Sequence, residues 1–202
     1  MLYIHNIMEN KHNIKILQFL LSNKKESFTI RAIAKEIALD YKAAYEAIQK
    51  LIEKKLIKTK KAGQATLCSL NIKEFNSLIF CAEEARRDEL LKNKVISTAY
   101  SYFKDIKNPF FILLLFGSYA KKQERKKSDI DLFLIVDHET SKKEIQEKIK
   151  LIPLNIHLIV FSSKEFLSML KTTEFNVGKE AFYNNVILLG IEDYYRMIQD
   201  AD

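Results

Sequence analysis

Residues 110–137, FFILLLFGSYAKKQERKKSDIDLFLIVD, decide how the chain is read. Seven consecutive apolar residues, 110–116, are closed by Gly117-Ser118. A run that short, bounded by Pro109 and Gly117, suits a strand buried on both faces better than a helix. The segment YAKKQERKK that follows is polar and helical in composition, and SDIDLFLIVD reads as a second strand. Side chains alternate along a strand, so Asp129 and Asp131 share a face. At about 3.3 Å per residue their Cα atoms lie about 6.6 Å apart, which lets two carboxylates converge on a divalent cation. Asp137 has the same parity, but six residues of straight strand put it about 20 Å from Asp131, too far to join that ion.

Gly-Ser, ten residues, then Asp-x-Asp, with an apolar strand before, GSYA opening a helix and SDIDL entering the next strand, resembles the signature of the nucleotidyltransferase superfamily that includes DNA polymerase β. The likeness is to its minimal members, and it covers roughly residues 92–202, most securely 110–161. It implies an α/β (α+β) domain, a mixed sheet flanked by helices. It also implies a site in which Gly117, Ser118, Lys121 and Ser128 bind a nucleoside triphosphate, with ATP the expected one. Asp129 and Asp131 would be the catalytic carboxylates and the ligands of Mg²⁺. The chemistry is coherent: backbone N–H groups at a helix start favour phosphate oxygens, and Mg²⁺ prefers carboxylate and phosphate oxygen.

Two departures from that family stand out. Its members usually carry glycine near position 122, where this chain has Lys122. They also generally add a third carboxylate on a later strand, whereas the matching strand here, LNIHLIVFS (154–162), contains no acid. Asn155 and His157 occupy the candidate positions. His157 is open to two readings, a metal ligand or proton acceptor on one side and a hydrogen-bonded strand histidine on the other. Beyond it, Ser162 or Ser163 caps a helix with Glu165 near its start, and Gly178-Lys179 is open to two readings, a contact to the nucleotide or another helix start. Residues 176–195 look like the tail of archaeal-type proteins that fuse a winged helix to a minimal nucleotidyltransferase.

The first third carries the chain's charge. Residues 1–72 hold 13 Lys/Arg against 6 Asp/Glu, while residues 73–202 hold 20 of each, so the whole net charge of +7 lies in the first part. Such asymmetry suggests a polyanion partner for that part. An apolar helical stripe at 14, 16, 17, 20 and 21 precedes a second helix capped by Thr29 and a third, YKAAYEAIQKLIEKKLI, with Ala44, Ile48, Leu51 and Ile52 inward. LIKTKKAGQATLCSLN then reads as a hairpin around Gly63. Three helices followed by a basic hairpin resemble the winged helix-turn-helix domains of bacterial and archaeal regulators. The resemblance implies double-stranded DNA as partner, with Lys42, Tyr45 and Gln49 on the third helix, Lys58, Lys60 and Lys61 on the wing, and Arg31 at a phosphate.

Three segments follow: a winged helix-turn-helix in 1–72, a helical linker in 73–107 and a nucleotidyltransferase domain in 108–202. The linker offers apolar positions 90, 91, 95, 96, 99 and 103, a candidate homodimer seam, and Asn108-Pro109 ends it. No apolar run approaches the roughly 20 residues of a membrane span, no signal-peptide pattern opens the chain, and Cys68 and Cys81 lack metal or disulfide spacing. A cytoplasmic location is therefore expected. Two functions fit. One is Mg²⁺-dependent transfer of a nucleoside monophosphate to a hydroxyl of a protein or RNA, in an antitoxin-like role opposite a toxin protein. The other is a transcription regulator whose nucleotidyltransferase-like domain binds nucleotide without turnover.

Overall fold

A computed structural model describes residues 2–104, 111–125 and 128–199. The expected break at Asn108-Pro109, the first residue of the apolar run, the last three residues of the linker (105–107) and Lys126-Lys127 lie outside these residues. The protein is of mixed α/β class and divides into two compact units, Met1–Ala85 and Arg86–Asp202.

In the first unit the order is α1 (Leu2–Ser22), β1 (Phe28–Thr29), α2 (Ile30–Glu36), α3 (Tyr41–Glu53), β2 (Ile57–Ala62) and β3 (Ala65–Leu70), with α4 (Ser77–Leu90) following. The α1 stripe buries Ile16, Leu17, Leu20 and Leu21 completely. Thr29 caps α2 as expected, its hydroxyl accepting the Ala32 N–H at 3.1 Å. Asp40 caps α3 by accepting from Lys42 and Ala43 N–H. Inward residues of α3 are Ala44, Ala47, Ile48 and Leu51; Ile52, expected inside, is only half-buried, and Ala47 takes its place.

The third helix is shorter than its sequence suggests. Lys55 takes a left-handed backbone (φ 60°), its N–H bonds to Ile52 O, and the Leu56 N–H reaches back to Leu51 O. That paired pattern ends helices, and it releases Leu56 and Ile57 into the core and the strand. The hairpin forms around Gly63 (φ 60°), with Ala62 opposite Ala65. The short β1, which the sequence did not announce, adds to the other edge of β3.

Unit two runs α5 (Lys94–Lys104), β4 (Ile112–Leu115), α6 (Gly117–Ala120), β5 (Ile130–Ile135), α7 (Glu139–Lys150), β6 (Ile156–Phe161), α8 (Ser163–Lys171), α9 (Val177–Tyr183), β7 (Val186–Leu189) and α10 (Ile191–Gln199). The sheet order is β6-β5-β4-β7, with β4 antiparallel to both neighbours and β5 parallel to β6. Every residue of β4 is buried, so the apolar run is a central strand covered on both faces.

The helical bridge is two helices, separated where the Asn93 side chain accepts from Val95 and Ile96 N–H to start α5. Ile96, Ala99 and Phe103 of α5 join Leu113, Leu115, Leu132 and Leu134 in the core of the second unit. The apolar face that the sequence offers to a dimer seam is thus spent, in large part, inside this unit.

Candidate functional site

The residues of the expected site come together where β4 ends and β5 begins. The Phe116 N–H donates to Asp131 O at 3.0 Å, carrying the β4–β5 ladder one residue beyond the Leu115–Leu132 pair. Gly117 therefore lies directly over the Asp131 side chain. Its backbone is left-handed (φ 69°), and a Cβ there would stand 2.1 Å from Asp131 Oδ2. Both the conformation and the space demand glycine.

The strand that ought to offer an acid is aligned by the parallel register of β5 and β6, which places His157 opposite Asp131. Two polar pairs result. His157 Nδ1 lies 3.2 Å from Asp131 Oδ1, and the Asn155 amide donates to Asp129 Oδ1. So the residues that the sequence placed at the third-carboxylate position do stand against the two aspartates. Among the described residues no three His, Cys, Asp or Glu side chains gather into a metal-holding group. The donor set nevertheless fits a dication held the open way, by two carboxylates with the remaining positions left to substrate phosphates and water. Asp137 is elsewhere: its carboxylate accepts the Ser163 N–H and hydroxyl at 2.8 and 2.7 Å, securing the start of α8.

The helix expected after Gly117-Ser118 is shorter than its composition suggests. Residues 121–125 do not continue the helix: α6 is a single turn, and Lys122 is left-handed (φ 55°). Lys122 N–H bonds to Tyr119 O and Gln123 N–H to Ser118 O, the same ending as in α3. This position favours glycine, which gives a physical reason for the residue that the resemblance leads one to expect at 122. Ser118 sits in the turn itself. Lys121 is held by Glu180 of α9 at 2.5 Å, a partner 59 residues away that no local pattern could announce. The Ser128 hydroxyl accepts the Arg125 N–H at 2.8 Å.

Gly178 belongs to helix packing, since a Cβ there would come 2.8 Å from Met169 Cβ of α8. Lys179 lies in the first turn of α9: its N–H donates to the side chain of the capping Asn176 and its ammonium donates to Thr172 O.

In the first unit the expected contact residues are mostly exposed. Arg31, Lys42, Tyr45, Lys58, Lys60 and Lys61 face solvent, and Gln49 is half-buried. Strand alternation puts Lys58 and Lys60 on one face of the hairpin and Lys61 on the other. A groove of about 690 Å³ runs between Arg31, the exposed rings of Tyr41 and Tyr45, and Gln64 and Thr66 of the hairpin. The two tyrosine rings lie 6.3 Å apart. Tyr41 lies on the face of α3 that the sequence turns to solvent, whereas Gln64 was not among the expected contacts, and its place at the hairpin tip was the signal for it.

Against known proteins, residues 93–190 match the family model described as "Polymerase beta, Nucleotidyltransferase". The match spans just under half of the chain, from the start of α5 to the end of β7, and so includes the Gly117–Asp131 turn and the β5–β6 pair. This part of the chain is similar to nucleotidyltransferases, proteins that transfer nucleoside monophosphates. No curated protein matches the chain. Among the described residues no helix is long and apolar enough to cross a membrane.

Proposed function

We propose that the second unit transfers a nucleoside monophosphate from a nucleoside triphosphate, ATP first among them, to a hydroxyl of a protein or RNA. The observation that carries this reading is the close seating of Gly117 on Asp131, with Asp129 one strand position back. In that arrangement the backbone of the Gly117–Tyr119 turn meets the triphosphate, and the Ser118 hydroxyl donates to its outer oxygens. Asp129 and Asp131 would hold a divalent cation, Mg²⁺ in the first instance, which when bound would polarise the α-phosphate and offset the charge on departing pyrophosphate. Asn155 fixes one oxygen of Asp129 and leaves the other free to bind. Lys121 is within reach of added charge once it exchanges Glu180 for phosphate.

The first unit is, in this reading, a winged helix-turn-helix on duplex DNA. Helix α3 presents Lys42, Tyr45 and Gln49, and the β2–β3 hairpin presents the wing lysines. Together the units suit an antitoxin-like protein that modifies a toxin partner, or an RNA, and represses its own transcription. A second reading, nucleotide sensing without turnover by a DNA-bound regulator, is favoured by one observation: the position opposite Asp131 is His157, not an acid.

Incubating the full chain with α-labelled ATP, Mg²⁺ and a cell extract separates the two. Labelled acceptor that disappears with Asp129→Ala and Asp131→Ala supports the enzyme. Tight ATP binding with no labelled acceptor at any extract concentration rejects it in favour of the sensor.

A further inference from the structure

We infer that a cavity at the far end of the second unit's sheet binds a short aliphatic amine, its chain on an apolar floor and its ammonium between Asp137 and Asp193. The site is separate from the nucleotide reading and does not rest on it. At about 3.3 Å per residue, Asp137 stands about 20 Å along the chain from Asp131.

The backbone makes the cavity. Strands β5 and β6 run parallel, and their carboxyl ends lie together at Ile135 and Phe161. In open α/β sheets the crevice outside such ends is where ligands bind. After β7, Gly190 is left-handed (φ 77°), and a Cβ there would stand 2.9 Å from Phe111 O. That close approach starts α10 against the first residues of β4, and the first turn of α10 brings Asp193 to the strand ends. The space enclosed is about 270 Å³. Ligand pockets range upward from about 300 Å³, so this one suits a small molecule or a single side chain, not a nucleotide.

The lining decides the chemistry. Phe111, Ile112, Ile135 and Val136 form a buried apolar floor, and Met197 of α10 adds a wall. Asp137 and Asp193 stand at the exposed rim. Ser163 fixes Asp137 with one bond to each carboxylate oxygen, and each oxygen keeps a further lone pair. Asp193 makes no hydrogen bond or ion pair with any described residue. The basic residue of α10 does not answer it, since Arg196 is paired with Glu192 at 2.5 Å. An apolar floor under two carboxylates complements an alkyl chain that ends in an ammonium: the methylenes leave water, and the head offers three donors to the rim. An anion would meet two like charges there, and a bare metal ion would gain nothing from the floor.

The test follows backbone amide NMR shifts of the full chain as pentylamine is added, and separately Nα-acetyl-lysine methylamide, which carries the same head on a protein-like stem. Saturable shifts should gather in residues 111–113, 135–137 and 190–197, with a Kd of about 1 mM or below for at least one of the two. The tighter of them tells a free amine from the lysine side chain of a partner protein. Asp193→Asn, an exposed change that leaves the floor intact, should weaken binding about fivefold. Neither n-pentanol, which has the chain without the charge, nor methylamine, which has the charge without the chain, should give saturable shifts. Asp129→Ala should leave amine binding as it is, so the amine site and the nucleotide site stand or fall separately. The inference is overturned if neither amine gives saturable shifts, if n-pentanol matches pentylamine, if Asp193→Asn binds as the parent does, or if Asp129→Ala abolishes binding.

Discussion

Gly117→Ala probes the site where backbone and chemistry meet. Alanine at φ 69° costs about 1–2 kcal/mol because its Cβ crowds the following carbonyl. The same Cβ would stand 2.1 Å from Asp131 Oδ2 and 2.9 Å from Cγ, so the carboxylate must yield. An ordinary carbon–oxygen contact exceeds 3 Å, so the displacement is about 1 Å, and overpacking of that kind costs about 1–3 kcal/mol. The total loss should be roughly 2–5 kcal/mol. A displacement of about 1 Å at a reacting group costs about 100-fold in rate. The chain contains no tryptophan, so urea unfolding is best followed by far-UV circular dichroism. The decisive version is a double-mutant cycle. In an Asp131→Ala background Cγ and the oxygens are gone, and only the Asp131 Cβ contact at 3.1 Å remains. Gly117→Ala should then cost only the backbone part, leaving about 1–3 kcal/mol of coupling. Additivity within about 0.5 kcal/mol would refute the argument that this glycine exists to admit the aspartate.

Other consequences are open to simpler experiments. Lys122→Gly should stabilise the protein by about 0.5–1 kcal/mol in the same urea assay, because it relieves a left-handed lysine at a helix end. Glu180→Gln releases Lys121 and should tighten ATP binding severalfold in a filter assay, most strongly at low salt; a weaker affinity would mean that the pair holds the site in shape. Lys60→Glu with Lys61→Glu should abolish duplex binding in gel shifts and flatten its dependence on salt, since phosphate-contacting charges set that slope. Glu165 is held below the usual glutamate range, first by the Ser162 backbone N–H and then by its hydroxyl. Its support for α8 is therefore complete above the ordinary glutamate range and lost as pH falls through the depressed value. Protection of the amides of residues 163–166, relative to intrinsic exchange, should fall in that acid window, and Glu165→Gln should remove the part that Glu165 contributes.

The features legible in the sequence are the ones written locally. Thr29 and Ser162 as caps, the hairpin around Gly63, the buried β4 and the Gly-Ser to Asp-x-Asp spacing all rest on nearest neighbours in the chain. What local pattern misjudged were the helix ends. Both α3 and α6 stop at a left-handed lysine, a residue whose composition argues for continuing the helix. Long-range partners were the other gap. Lys121, expected at a phosphate, has Glu180 beside it, and part of the α5 face that the sequence offers to a dimer seam lies in its own unit's core. His157 lay between these cases: the sequence named the position, but only the strand register put it against Asp131.

The central claim is that bond breakage falls between the α- and β-phosphates of a triphosphate bound at Gly117–Asp131. Parallel reactions with α-labelled and γ-labelled ATP, run on the parent protein and on Asp129→Ala, test it most directly. The account predicts α-label on a macromolecular acceptor, γ-label in pyrophosphate, and neither product with Asp129→Ala. Gamma label on the acceptor, or transfer that persists in Asp129→Ala, would contradict it.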